Sequence, residues 1–145
     1  MPLMQLIYAS RPFGFEAETL DDILLSARRH NREDGITGAL ICRADLFLQL
    51  LEGPRAAVTR TFGRILQDDR HLDVALIHVD DIETRLFAEW DMRDDPPRSW
   101  MWSQAEVRAG ALRGATAASV QAIFARLAQE PAQEPAQEPA GPAGG

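Results

Sequence analysis

The chain contains no lysine, because all fifteen of its basic residues are arginines. Schiff-base chemistry through a side-chain amine is therefore excluded. Cysteine occurs once, as Cys42, which rules out an internal disulfide framework and any multi-cysteine metal or iron–sulfur site. Long apolar runs are missing too, and nothing approaches the ~20 residues of a membrane span. The N-terminus, Met-Pro-Leu-Met-Gln-Leu-Ile-Tyr, lacks the basic stretch that opens a signal peptide. Clustered positive charge is absent, and the formal net charge of −7 argues against a nonspecific grip on DNA, RNA or an anionic membrane. A cytoplasmic protein with no nucleic-acid or membrane partner is expected.

Two more absences narrow the chemistry. His30, His71 and His78 show no ligand spacing on one element and no acidic cluster completes a set, so no metal is expected. Gly35-Ile36-Thr37-Gly38 opens a strand and not a helix, so it is no phosphate loop. Cys42 closes an apolar strand and reads as a small packed hydrophobe.

What is present centres on Gln49, an amide inside the apolar run Leu46-Phe47-Leu48-Gln49-Leu50-Leu51. A run apolar on both alternating faces reads as a central strand covered on both sides. An amide there costs roughly 1–3 kcal/mol for each unmet group, so something polar must meet it. Leu3 to Ser10 reads as a strand, followed by a helix with Thr19 as N-cap and Leu20, Ile23, Leu24 and Ala27 on its apolar face. Ile36 to Cys42 and Leu46 to Leu51 form a hairpin around Arg43-Ala44-Asp45. A second helix opens at Gly53-Pro54, a fourth strand covers Val74 to Val79, and a fifth covers Leu86 to Met92. The order β-α-β-β-α-β-β predicts an α+β, ferredoxin-like sheet with both helices on one face.

The other face needs a cover. Two C-terminal helices supply it, one capped by Ser103 with Glu106, the other carrying the stripe Val120, Ile123, Phe124 and Leu127. Residues 1–95 then form the domain, 96–128 a helical extension, and 129–145 a low-complexity tail of Gln-Glu-Pro-Ala repeats. On the helix side of the sheet, Tyr8 on the first strand and Gln49 on the third can touch, with His30 and Asn31 ending the first helix nearby. Such a trio suits a pocket for a flat heteroaromatic with carbonyl and ring-nitrogen edges. A satisfied buried hydrogen-bond cluster is the structural alternative.

The motifs Ile7-Tyr8-Ala9-Ser10, then His30-Asn31 with Gly35-Ile36-Thr37-Gly38-Ala39-Leu40, then Phe47-x-Gln49-x-Leu51-Glu52-Gly53, follow one another in this order. Asp69-Arg70-His71 and Arg85-x-Phe87-x-x-Trp90-x-Met92 continue the series. Over roughly residues 3 to 95 the chain resembles the BLUF domain, the blue-light sensor that uses flavin. The resemblance implies FAD as the cofactor, with FMN as the other possibility. It implies that Tyr8 is the light-driven electron and proton donor and that Gln49 bonds both Tyr8 and the flavin. Asn31 and His30 would hold the ring edge, while Asp69, Arg70 and His71 would lie beside the ring and ribityl chain. Ser10, Trp90 and Met92 would switch with Gln49. The expected function is that of a photoreceptor and not an enzyme, signalling through the fifth strand and C-terminal helices to a separate downstream protein, with a homodimer possible. A flavin-binding oxidoreductase and a ligand-free ferredoxin-like interaction module are the alternatives.

Overall fold

The computed structural model describes residues 2–12, 17–96, 98 and 100–131. The tail repeats beyond residue 131 lie outside the described residues. Strands β1 (Leu3–Pro12), β2 (Thr37–Arg43), β3 (Leu46–Pro54), β4 (His71–Ile82) and β5 (Arg93–Asp95) form one sheet in the order β4-β1-β3-β2-β5. All pairings are antiparallel except that of β2 with β5. Helices α1 (Ala17–Asp34) and α2 (Arg55–Leu66) connect the strands, and α3 (Gln104–Arg108), α4 (Ala111–Gly114) and α5 (Ala117–Ala128) follow them. This is an α+β, ferredoxin-like architecture.

The apolar run around Gln49 is the middle of the sheet. Leu46 through Gly53 are all buried, as expected for a strand flanked on both edges and covered on both faces. Alternation then sorts the side chains into two cores. Met4, Leu6, Tyr8, Phe47 and Leu51 pack with Ile23 and Leu24 of α1 and Ala57 and Val58 of α2. Ile7, Ala9, Leu48 and Leu50 pack on the opposite face with Val120, Phe124 and Leu127 of α5. The expected stripe on the last helix therefore covers the second face, and Thr116 with Ser119 closes a capping box at its start.

Three expectations are corrected. The fifth strand does not run from Leu86 to Met92. That stretch is irregular, with a turn from the Phe87 carbonyl to the Trp90 amide, and pairing begins only at Arg93. The cause is Glu52, which is fully buried. Its carboxylate accepts the backbone N–H groups of Leu86 (3.0 Å) and Phe87 (2.6 Å), donors that a strand would have spent on a neighbour. Burial pushes the Glu52 carboxyl above its ordinary range, against the pull of these N–H groups, Thr37 and Arg85. The C-terminal cover has three helical segments and not two, since Gly110, at φ 101°, ends α3 and starts a short α4. Helix α1 begins at Ala17, so Thr19 lies inside its first turn instead of capping it. Two arginines of α1 also reach the segment before β5. Arg28 is half-buried and donates twice to the Met92 carbonyl (3.2 and 3.0 Å), while Arg32 pairs with Asp91 at 3.0 Å.

Candidate functional site

The register of β1 against β3 places Tyr8 directly opposite Gln49. Both side chains point to the α1–α2 side, and both are buried. The Tyr8 hydroxyl donates to Gln49 Oε1, and Gln49 Nε2 donates to Met92 Sδ at 3.2 Å. The amide is thus used at both ends. Phe62 (5.6 Å between ring centroids) and His71 (5.9 Å) flank the phenol ring. Burial, and secondarily the nearby Asp68 carboxylate and Cys42, pushes the Tyr8 hydroxyl well above the ordinary tyrosine range. It keeps its proton through any ordinary pH. Cys42 packs in the same core, its thiol pushed up to about 12 by burial and then by Asp94, which leaves it unreactive.

Beside this pair a cavity of about 210 Å³ opens between α1 and α2. Gln49, His30, Asn31, Arg70 and His71 all line it. Asn31 comes from the last turns of α1, its Nδ2 donating to the Asp91 carbonyl at 2.8 Å. Its Oδ1 is buried and has no partner. A buried orphan acceptor costs roughly 1–3 kcal/mol, and because Asn31 lines the cavity a donor placed there would relieve it. His30 uses Nδ1 on the Ser26 carbonyl (2.9 Å) one turn back in α1. Arg70 is clamped by Asp68 at 2.6 Å, an ion pair that draws the Asp68 carboxyl below its usual range.

The remaining expected residues are placed unevenly. Ser10 bonds His71 Nδ1 at 2.8 Å and does not reach Gln49. Of the fifth-strand pair, Met92 is fully buried on Gln49 while Trp90 is 39% exposed. Asp69 is exposed and stands outside the cavity; its neighbour Asp68 lines it instead. Sequence reasoning also missed Thr61, Arg64 and Ile65 of α2. Their spacing (i, i+3, i+4) is the signal that could have found them, since it sets one face of α2 toward the cavity.

His71 carries a pH consequence. Burial lowers its pKa, with Arg70 adding to the effect and Asp68 opposing it. A histidine whose folded pKa is depressed costs stability as pH falls through its unfolded value of about 6.5 toward the folded one. Urea unfolding at pH 7.5 and pH 5 should therefore show a larger acid loss for the native chain than for His71→Gln. Equal losses would refute this placement of His71.

The fold and the cavity together define a ferredoxin-like α+β module with a polar-lined cavity between two helices. The BLUF family, described as sensors of blue-light using FAD, matches residues 3–93. Over 91 residues the chain is 40% identical to the photoactivated adenylate cyclase subunit beta of Euglena gracilis, which covers 62% of this chain and 10% of that protein. It is 32% identical over 91 residues to the blue light- and temperature-regulated antirepressor BluF of Escherichia coli K12, covering 62% of this chain and 23% of that one. The dark-state structure of the BLUF protein BlrB matches with a TM-score of 0.73 at 28% identity, over 88% of this chain and 96% of that one. Ground-state BlsA, at 24% identity, shares the fold with a TM-score of 0.78 over 91% of both chains. The chain thus spans about a tenth of the length of the cyclase subunits it matches.

The chain belongs to the BLUF family, blue-light sensors whose cofactor is FAD. The residues present fit that cofactor, since Asn31 Oδ1 is an orphan acceptor for a ring N–H and the cavity is walled by Ile23, Leu51 and Ile65. No helix among the described residues is long and apolar enough to cross a membrane.

Proposed function

We propose that light is read at the Tyr8–Gln49 pair by proton-coupled electron transfer and that the result leaves along the segment ending in Met92. The observation that supports this most directly is the unbroken chain from the Tyr8 hydroxyl to Gln49 Oε1 and from Gln49 Nε2 to Met92 Sδ, alongside the cavity. Bound flavin supplies a blue-light absorber whose excited state accepts an electron and a proton. Tyr8 keeps its proton in darkness, so it is a poor donor at rest. Once its ring loses an electron the phenol becomes strongly acidic, and the proton leaves Oη along the bond to Gln49 Oε1. Gln49 suits the relay because one end of its amide donates and the other accepts. A turned or tautomerised amide no longer presents the same N–H to Met92, so that side chain registers the change. Asn31, His30 and Arg70 hold the ring and its substituents in this reading, and Ser10 orients His71.

No net substrate turnover follows, so the domain is a switch and not a catalyst. Residues 1–95 are the sensor, residues 96–128 its output cover, and 129–145 a tail without chemistry. The output partner is a separate cytoplasmic protein. The cyclase and antirepressor relatives pair the same sensor with different outputs, which favours a sensor that does not dictate the effector.

Purified protein should be yellow with bound FAD, and blue light should shift its absorption reversibly to the red without bleaching. Colourless protein that fails to take up added FAD would sink this reading. Bleaching in place of a red shift would favour an oxidoreductase.

A further inference from the structure

The residue after the Gln49 partner is Arg93, only 3% exposed although charged. A buried guanidinium must have its charge met locally. It stands over the rings of Phe87 (6.0 Å) and Trp90 (5.8 Å), and its Nη2 donates to the Glu130 carbonyl at 2.9 Å. Glu130 lies just past the end of α5, where its own N–H closes on the Leu127 carbonyl at 3.0 Å. Arg98 grips the same point, pairing with the Glu130 carboxylate (3.3 Å) and donating to the Pro131 carbonyl (3.1 Å). The Glu130 carboxylate also meets Arg126 at 3.7 Å. The point where the chain leaves α5 is therefore tied to the segment that follows Met92.

Met92 is held from two sides. Its sulfur accepts from Gln49, and its carbonyl accepts from Arg28 of α1. With the carbonyl anchored, a displaced Met92 side chain can be accommodated along the short β5, and Arg93 is the next residue. We infer that Arg93 is a positioning residue that couples the Gln49–Met92 contact to the C-terminal end of α5, so that light loosens the hold on Glu130. This rests on the photoreceptor reading above and adds to it the place where the signal is released. Helix α5 is packed into the core through Val120, Phe124 and Leu127, and the polar ties act just past it, so the output element is the chain at Glu130.

The test is hydrogen exchange on the full FAD-loaded chain, in darkness and under blue light, with the absorption shift recorded on the same samples. In the native protein the amides of Gln129 and Glu130 should exchange at least tenfold faster in light. Arg93→Gln should exchange at the light-like rate in both conditions while keeping the full red shift. Arg93→Lys, which retains charge and a donor, should restore at least part of the light–dark difference. Should Arg93→Gln fail to fold, Arg93→Met keeps a long side chain against Phe87 and Trp90 while removing the donor to the Glu130 carbonyl, and it should behave as Arg93→Gln does. A full red shift with unchanged exchange at Gln129 and Glu130 overturns the coupling and leaves the photoreceptor reading intact. Native-like exchange at Gln129 and Glu130 in Arg93→Met overturns it as well. Absence of any red shift in the native chain overturns both.

Discussion

Tyr8→Phe is expected to bind FAD and to lose its red shift, with the yield of the shifted form falling by about two orders of magnitude or more. The scale is that of removing a positioned proton donor. Phenylalanine keeps the ring against Phe62 and His71, so the core beside the cavity stays filled. It removes the O–H that Gln49 Oε1 accepts, and a buried acceptor left unmet costs roughly 1–3 kcal/mol. The variant should therefore fold, a little less stably. The chain has no second tyrosine to substitute. Trp90 is the nearest alternative in kind, but it is partly exposed, lies against Arg93, and makes no bond to Gln49. It could quench an excited flavin without delivering a proton to the amide. Steady illumination with absorption recorded before and after decides the matter, and an undiminished shift in Tyr8→Phe would remove Tyr8 from the mechanism.

The Tyr8–Gln49 meeting was legible in the sequence for a simple reason. Two central strands of known phase leave few ways to arrange an amide and a phenol on the same side. Period-two alternation fixes faces, and the strand order fixes neighbours. The stretch from Leu86 to Met92 alternates just as well, yet it is no strand. There the competing influence is a buried carboxylate three residues after Gln49 in sequence, and nothing local in residues 86–92 announces it. Once Glu52 takes the N–H groups of Leu86 and Phe87, Met92 reaches Gln49 while Trp90 is left partly in solvent. The role of Arg28 was not legible for a related reason. Its helical position suggests solvent, but the carbonyl it meets belongs to a segment 64 residues away. Asp68 and Asp69 illustrate the limit at a turn. Both are acidic neighbours of Arg70, and only the geometry of the bend decides which one faces the cavity.

Gly38→Ala is expected to be the most damaging alanine substitution among the described glycines. A Cβ at Gly38 would lie 2.0 Å from the Leu50 carbonyl oxygen, 3.1 Å from its carbon and 3.4 Å from the Leu51 Cα. These are all backbone atoms, so no rotamer change relieves the clash. Nor can β3 withdraw, because β1 is paired along its other edge from Leu3↔Pro54 to Ser10↔Phe47. The ladder between β2 and β3 must open instead, and with it the bond from the Gly38 N–H to the Trp90 carbonyl. A loss of more than about 3 kcal/mol follows, which is a large share of the ~5–15 kcal/mol that a domain has. That corresponds to a fall of roughly 10 °C in the unfolding midpoint. Gly63→Ala is the matched control. It adds the same methyl inside α2, where nothing lies within 4 Å, and should raise stability by roughly 0.4–1 kcal/mol through helix propensity and a less flexible unfolded chain. Thermal unfolding of the two variants side by side separates the explanations. If Gly38→Ala melts with the native protein, the tight β2–β3 approach is not what holds the Trp90 carbonyl, and the irregular segment before β5 must be positioned by Glu52, Asn31 and Arg28 instead.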